Sequence, residues 1–162
     1  MSLAVLYSRA LSGIHAPLVT VETHIANGLP SFTIVGLPDT EVKESKDRVR
    51  AALQNAQFKI PAQRITINLA PADLPKESGR FDLPIALGIL AATGQIPKDK
   101  LDHYEWAGEL ALTGELRPIH GALAMTYNAS QSGRSFVLPQ QNAAEAALVR
   151  NATIYAAKSL LQ

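Results

Sequence analysis

Leu18-Val19-Thr20-Val21-Glu22-Thr23-His24-Ile25 sets Leu18, Thr20, Glu22 and His24 against Val19, Val21, Thr23 and Ile25. A period of two, with β-branched residues on the apolar side, predicts a strand with one face on a core and the other toward solvent. On its C-terminal side, Gly28-Leu29-Pro30 separates it from a second β-branched run at 31–35 and predicts a hairpin turn between the two. On its N-terminal side, residues 3–11 predict a further strand. Beyond 35 the periodicity changes. Gly36-Leu37-Pro38 breaks the strand, Asp39 is placed to cap a helix, and Val42, Val49, Leu53 and Ala56 recur at helical spacing. Strands followed at once by an amphipathic helix predict an α/β fold.

The remainder extends this reading. Residues 65–69 alternate as a strand and lead into Pro71-Ala72-Asp73-Leu74-Pro75-Lys76-Glu77-Ser78-Gly79-Arg80, whose prolines predict an irregular loop without ladder pairing. From 83 to 93 nearly every residue is apolar, with Asp82 as the expected N-cap, Pro84 in the first turn and Gly94 as the stop, which predicts a helix buried on most sides. Residues 106–112 and 114–118 predict a short hairpin, 121–130 a helix, 136–138 a strand, 143–149 a helix and 153–156 a final strand. Strands lead and helices dominate later, so an α+β mixed sheet is expected. The 162 residues suit one domain, 1–162, and 47% apolar against 18% charged residues supply a core. Ser159-Leu160-Leu161-Gln162 lacks a capping or polar finish and predicts that a longer protein has been cut here.

Composition excludes several functions. Fifteen Lys and Arg against fourteen Asp and Glu leave a net charge of +1, so no global field draws the domain to nucleic acid or membrane. The absence of cysteine rules out disulfides and thiolate metal sites and predicts a cytoplasmic setting. No stretch has the length of a transmembrane span, and the first ten residues lack the apolar run of a secretory signal. His15, His24, His103 and His120 are scattered without metal-ligand spacing, and no Walker-type glycine loop offers a phosphate cradle, so neither metal nor nucleotide is expected here. Two groups of cations remain. Lys43, Lys46 and Arg50 share a helix face suited to phosphates, although Glu44 and Asp47 interrupt it. Lys76 and Arg80 stand in the proline loop just before a buried helix, where an anion or a partner could bind. Trp106, beside Ala107, is read as packing in the core or against a partner.

At Phe32-Thr33-Ile34-Val35-Gly36-Leu37-Pro38 and Lys46-Asp47-Arg48-Val49-Arg50-Ala51-Ala52-Leu53 the chain resembles the N-terminal domain of ComM/YifB-type proteins, the magnesium-chelatase-related AAA+ ATPases. Ile67-Asn68-Leu69-Ala70-Pro71-Ala72-Asp73-Leu74-Pro75-Lys76, Phe81-Asp82-Leu83-Pro84-Ile85-Ala86 and Gly108-Glu109-Leu110-Ala111-Leu112-Thr113-Gly114-Glu115-Leu116-Arg117-Pro118 continue it over essentially the whole chain. That domain is similar to the proteolytic domain of Lon and to the C-terminal domain of the RadA recombination protein. The resemblance therefore implies a ribosomal-protein-S5 domain 2-like, Lon-like fold.

Lon-type hydrolysis needs a serine activated by a lysine of lowered pKa. Laid on the Lon motifs, Pro75-Lys76-Glu77-Ser78-Gly79-Arg80 puts Arg80 at the nucleophile position, and Pro118-Ile119-His120-Gly121-Ala122-Leu123 puts Leu123 where the lysine belongs. Neither side chain can do that chemistry. The implied function is thus a module without catalytic residues in a hexameric AAA+ helicase for branch migration in recombination and natural transformation. It would serve ring assembly and DNA guiding, with ATP and Mg used in the parent's motor domain rather than here. Alternatives are a diverged peptidase using Ser78 and an adaptor for a protein partner around Trp106.

Overall fold

The computed structural model describes residues 2–12 and 15–160. Four strands, β1 (Ser2–Arg9), β2 (Leu18–Ala26), β3 (Ser31–Val35) and β4 (Arg64–Ala70), form one sheet in the order β1-β2-β4-β3. The alternation that predicts β2 is the alternation observed: Val19, Val21, Thr23 and Ile25 are buried, and the intervening residues are half-buried. β4 repeats the device with Ile65, Ile67 and Leu69. The expected hairpin at Gly28-Leu29-Pro30 is not formed. β4 lies between β2 and β3, antiparallel to the first with Thr23 opposite Ile67, and parallel to the second with Ile34 opposite Ile67. The apolar rows of all three strands fall in register only in this order, so the longer-range partner displaces the local one.

The helix begun by Asp39 is two. α1 (Thr40–Lys43) starts where the Asp39 carboxylate accepts from the Val42 N–H at 2.8 Å, and α2 (Ser45–Asn55) follows after a turn at Glu44. α2 sets Val49, Ala52 and Leu53 on β3, while α3 (Asp82–Ala92), buried along nearly its full length, covers β1 and β2. Gly88 permits that close approach, since a Cβ there would stand 2.3 Å from Thr23 Oγ1. Both helices lie on one face of the sheet, and Gly94, with φ 76°, ends α3 as expected.

A second layer follows. β5 (Tyr104–Trp106), β8 (Ser135–Pro139) and β9 (Ile154–Ala157) make a parallel three-stranded sheet, and β6 (Glu109–Leu110) with β7 (Leu116–Arg117) makes a hairpin with two residues in each strand. Trp106 therefore belongs to a parallel pair with β8 and not to the hairpin predicted over 106–118, which keeps only its tip. α4 (Ala122–Gln131) forms one residue further on than the helix predicted over 121–130, with Gly121 as its cap. The predicted 143–149 helix shortens to α5 (Ala143–Ala146) behind a 3-10 turn at Gln140–Asn142. α4, α5 and β8 enclose a smaller core around Met125, Phe136 and Leu138. Mixed parallel and antiparallel pairing establishes the α/β class with a mixed sheet. Of the tail, Leu160 bonds back to the Gly114 carbonyl, and Leu161 and Gln162 lie outside the described residues.

Candidate functional site

The proline loop from 71 to 78 is tied to the β3–α1 turn rather than left free. Lys76 N–H donates to Leu37 O and Asp39 N–H donates to Lys76 O, giving one parallel bridge between Pro38 and Lys76 where no pairing was expected. This places the Lys76 side chain inside the protein, fully buried, with its ammonium on the Pro71 carbonyl. Burial holds that amine below the usual lysine range, against the attraction of Asp73. A desolvated ammonium with lowered pKa costs stability while it is protonated, and that cost falls as pH rises from the folded value toward the unfolded one. Lys76→Met is therefore expected to leave the thermal midpoint at pH 7 unchanged or raised; a large drop would show that the ammonium is a net stabiliser.

Arg80 is also enclosed. It is 5% exposed, donates from Nε to Ser78 Oγ at 3.0 Å and from a terminal nitrogen to His120 O at 2.9 Å, and touches Met125 Sδ at 3.3 Å. Burial pulls its pKa down, with Glu77 opposing, yet an arginine remains charged. Ser78 holds φ at 67°, a left-handed conformation uncommon for a residue with a side chain. Together Glu41, Ser78, Gly79, Arg80, Glu109 and His120 line a cleft of ≈ 120 Å³. Glu109 closes over Gly79, where an added Cβ would meet its Oε1 at 2.6 Å. The cleft thus offers a serine whose oxygen accepts from a guanidinium, two carboxylates and a histidine. A guanidinium supplies a positive charge and donors but takes no proton. Leu123, the position that the resemblance assigns to the base, is exposed on α4.

The structure separates the other candidates. Lys43, Lys46 and Arg50 are exposed beside β3, where Lys43 and Lys46 border a depression with Phe32, Thr33 and Ile34, and Arg50 lies 5.7 Å from the Phe32 ring centroid. Lys76 and Arg80 share none of that surface. His15, His103 and His120 are exposed and His24 is half-buried, and among the described residues no group of three His, Asp or Glu could hold a metal ion. Trp106 is half-buried against Tyr104, ring centroids 5.3 Å apart, and its indole N–H is buried without a partner among the described residues.

Two buried ionic clusters were not anticipated. Asp82 is not an N-cap but sits in the first turn of α3, because its carboxylate is drawn sideways. It accepts from Ser45 Oγ, from Arg48 Nε at 2.7 Å and from the Leu110 N–H at 3.0 Å, so α2, α3 and β6 meet on one fully buried carboxylate. Burial works against the Arg48 charge, but the hydrogen bond and attraction of Asp82, with Glu109 and Glu44, raise its pKa. In the second cluster, Glu105 on β5 is fully buried between Arg9, with two contacts at 2.7 and 2.8 Å, and Arg134 at 3.0 Å. Arg9 also donates to Ala16 O and Ser132 Oγ, and Arg134 stacks 4.0 Å from the Tyr7 ring centroid. The available signal was Glu105 itself, a carboxylate between two aromatic residues of a strand.

These blocks match the family described as subunit ChlI of Mg-chelatase over residues 21–142, and the chain belongs to that family. Within it the sequence groups with the ComM and YifB proteins. It is 58% identical over 161 residues to competence protein ComM of Haemophilus influenzae, covering 99% of this chain and 32% of the relative. It is 54% identical over 149 residues to YifB of Salmonella typhimurium and of Escherichia coli, covering 92% of this chain and 29% of each relative. The chain thus spans about a third of the length of the curated relatives it matches.

Proposed function

We propose that this chain is a Lon-like, S5 domain 2-like module that carries no hydrolytic chemistry and serves the N-terminal part of a ComM-type AAA+ ATPase. The observation that carries this is in the cleft, where Arg80 donates to Ser78 Oγ, while Leu123, which the resemblance puts at the base position, stands outside the cleft lining, exposed on α4. Ser78 Oγ accepts from a guanidinium and, among the described residues, donates to neither the carboxylates nor the histidine of the cleft. A leucine stands where Lon-type hydrolysis has its lysine, so the hydroxyl is not paired with an activating base. ATP and Mg are assigned to the parent's motor domain, since this sequence has no glycine-rich strand-to-helix loop to cradle phosphates. The word competence in the name of the Haemophilus relative supports a role in DNA uptake, and the resemblance to ComM/YifB-type proteins extends this reading to recombination, with the parent as a hexameric helicase in the cytoplasm. In such a ring this module packs against neighbouring subunits. The test is a fluorophosphonate probe at neutral pH. No labelling of Ser78 is expected, and stoichiometric labelling that disappears in Ser78→Ala would establish a hydrolase instead.

A guiding role for DNA has its own support in the exposure of Lys43, Lys46 and Arg50. With Lys76 and Arg80 enclosed, this row is what remains of the proposed contact surface. Such contacts release counterions, so affinity for an oligonucleotide is expected to fall steeply with salt, and in the Lys43→Ala, Lys46→Ala double variant to fall with a shallower salt slope. Salt-independent binding would remove phosphate contact as its basis.

A further inference from the structure

β3 is the outer strand of its sheet, paired with β4 on one side and with no strand on the other among the described residues. Ser31 N–H donates to Gln63 O, which sets the phase of the parallel ladder. In that phase Ser31, Thr33 and Val35 turn their amides and carbonyls toward β4, and Phe32 and Ile34 turn theirs outward. The outward edge runs between two depressions. One, of ≈ 180 Å³, is bordered by Phe32, Thr33, Ile34, Lys43 and Lys46, and the other, of ≈ 330 Å³, includes Ser31, Arg50, Ile60 and Pro61. Cations flank the strand at both. On α2 the ion pairs belong to Arg48, with Glu44 at 3.8 Å and Asp82 at 2.7 Å, and Lys43, Lys46 and Arg50 enter no ion pair among the described residues. β3 itself carries no charge.

The geometry points to an acidic, extended peptide segment of a protein partner as the occupant of this edge, added as a fifth strand beside β3. Main-chain bonds from Phe32 and Ile34 would hold it, and its alternate carboxylates would meet Lys43, Lys46 and Arg50. A row of unpaired cations beside a neutral strand selects acidic side chains at every second position, which is the spacing an added strand presents. Single-stranded nucleic acid fits less well, because the aromatic ring at this edge, Phe32, is 8% exposed and covered by Arg50, leaving no stacking platform. This inference goes beyond the non-hydrolytic reading and does not depend on it.

The experiment is fluorescence anisotropy with the 162-residue chain and a short labelled peptide alternating glutamate with valine. Two control peptides accompany it, one with lysine for glutamate and one N-methylated at alternate amides, together with a labelled single-stranded and a duplex oligonucleotide. The expected result is binding of the acidic peptide alone among the peptides, weakened at least about tenfold in Lys43→Glu, Lys46→Glu and by raised salt. Both substitutions are on exposed side chains, so a circular dichroism spectrum matching the parent's is expected and confirms folding. Equal binding of the N-methylated peptide would overturn strand addition and leave only charge attraction. Binding of an oligonucleotide but not the peptide, lost in the same variant, would overturn the peptide and favour the DNA role. Binding of neither would overturn the proposal outright.

Discussion

Arg48→Met is expected to lower unfolding stability by about 3–5 kcal/mol, because it leaves the fully buried Asp82 carboxylate without its counter-charge. The hydrogen bonds from Ser45 and Leu110 stay, but two neutral donors do not offset the desolvation of an ion. Methionine retains most of the arginine stem, so the loss reports charge and not a cavity. The urea midpoint should fall with an unchanged slope. Arg48→Met combined with Asp82→Asn should recover part of the loss, since an amide carries no charge to strand. A change below about 1 kcal/mol in the single variant would show that water reaches Asp82 and that the cluster is not a bolt.

Glu105→Ala should have an effect of similar size, about 3–5 kcal/mol, through the opposite charge. Arg9, whose side chain is 8% exposed, and Arg134 would then face each other across a vacated site, with Arg9 keeping only neutral acceptors. The site joins β1 of the larger sheet to β5 of the smaller one, so the loss should appear as one cooperative transition shared by both layers. Replacing Arg9, Glu105 and Arg134 together with apolar residues of similar volume is expected to restore much of the stability, as buried triads often allow. Failure of the triple variant to recover would mean that the triad specifies the packing of the two sheets as well as neutralising itself.

The sequence discloses local periodicity far better than partnership. The alternation of Val19 to Ile25, the Asp39 cap and the Gly94 stop are read correctly because each depends on neighbours within a few residues. The hairpin at Gly28 fails because β4, some forty residues further on, carries a matching apolar row and takes the place between β2 and β3. Asp82 is misread for a related reason. Its position before an apolar run is that of a cap, but the groups that claim its oxygens come from α2 and β6. Likewise Lys76 and Arg80 look like surface cations in a proline loop, but pairing of that loop with the β3–α1 turn takes Lys76 inward, and Arg80 is enclosed by its contacts with Ser78, His120 and Met125. In sequence, Lys43, Lys46 and Arg50 read as one helix face, but Lys43 ends α1 while Lys46 and Arg50 lie on α2, and the unpaired strand beside them is not legible either, because edge position is a property of strand order.

The insertion of β4 between β2 and β3 also governs how the chain can be made. On the ribosome, β1 and β2 can zip together as soon as they emerge, yet β3 must wait, with both of its edges bare, until residues 64–70 have left the exit tunnel. During that interval Phe32, Ile34 and Val35 form a neutral, β-prone run with nothing to pair to. The interval is when a nascent-chain chaperone would matter most, and slowing translation within 36–63 should raise the aggregated fraction.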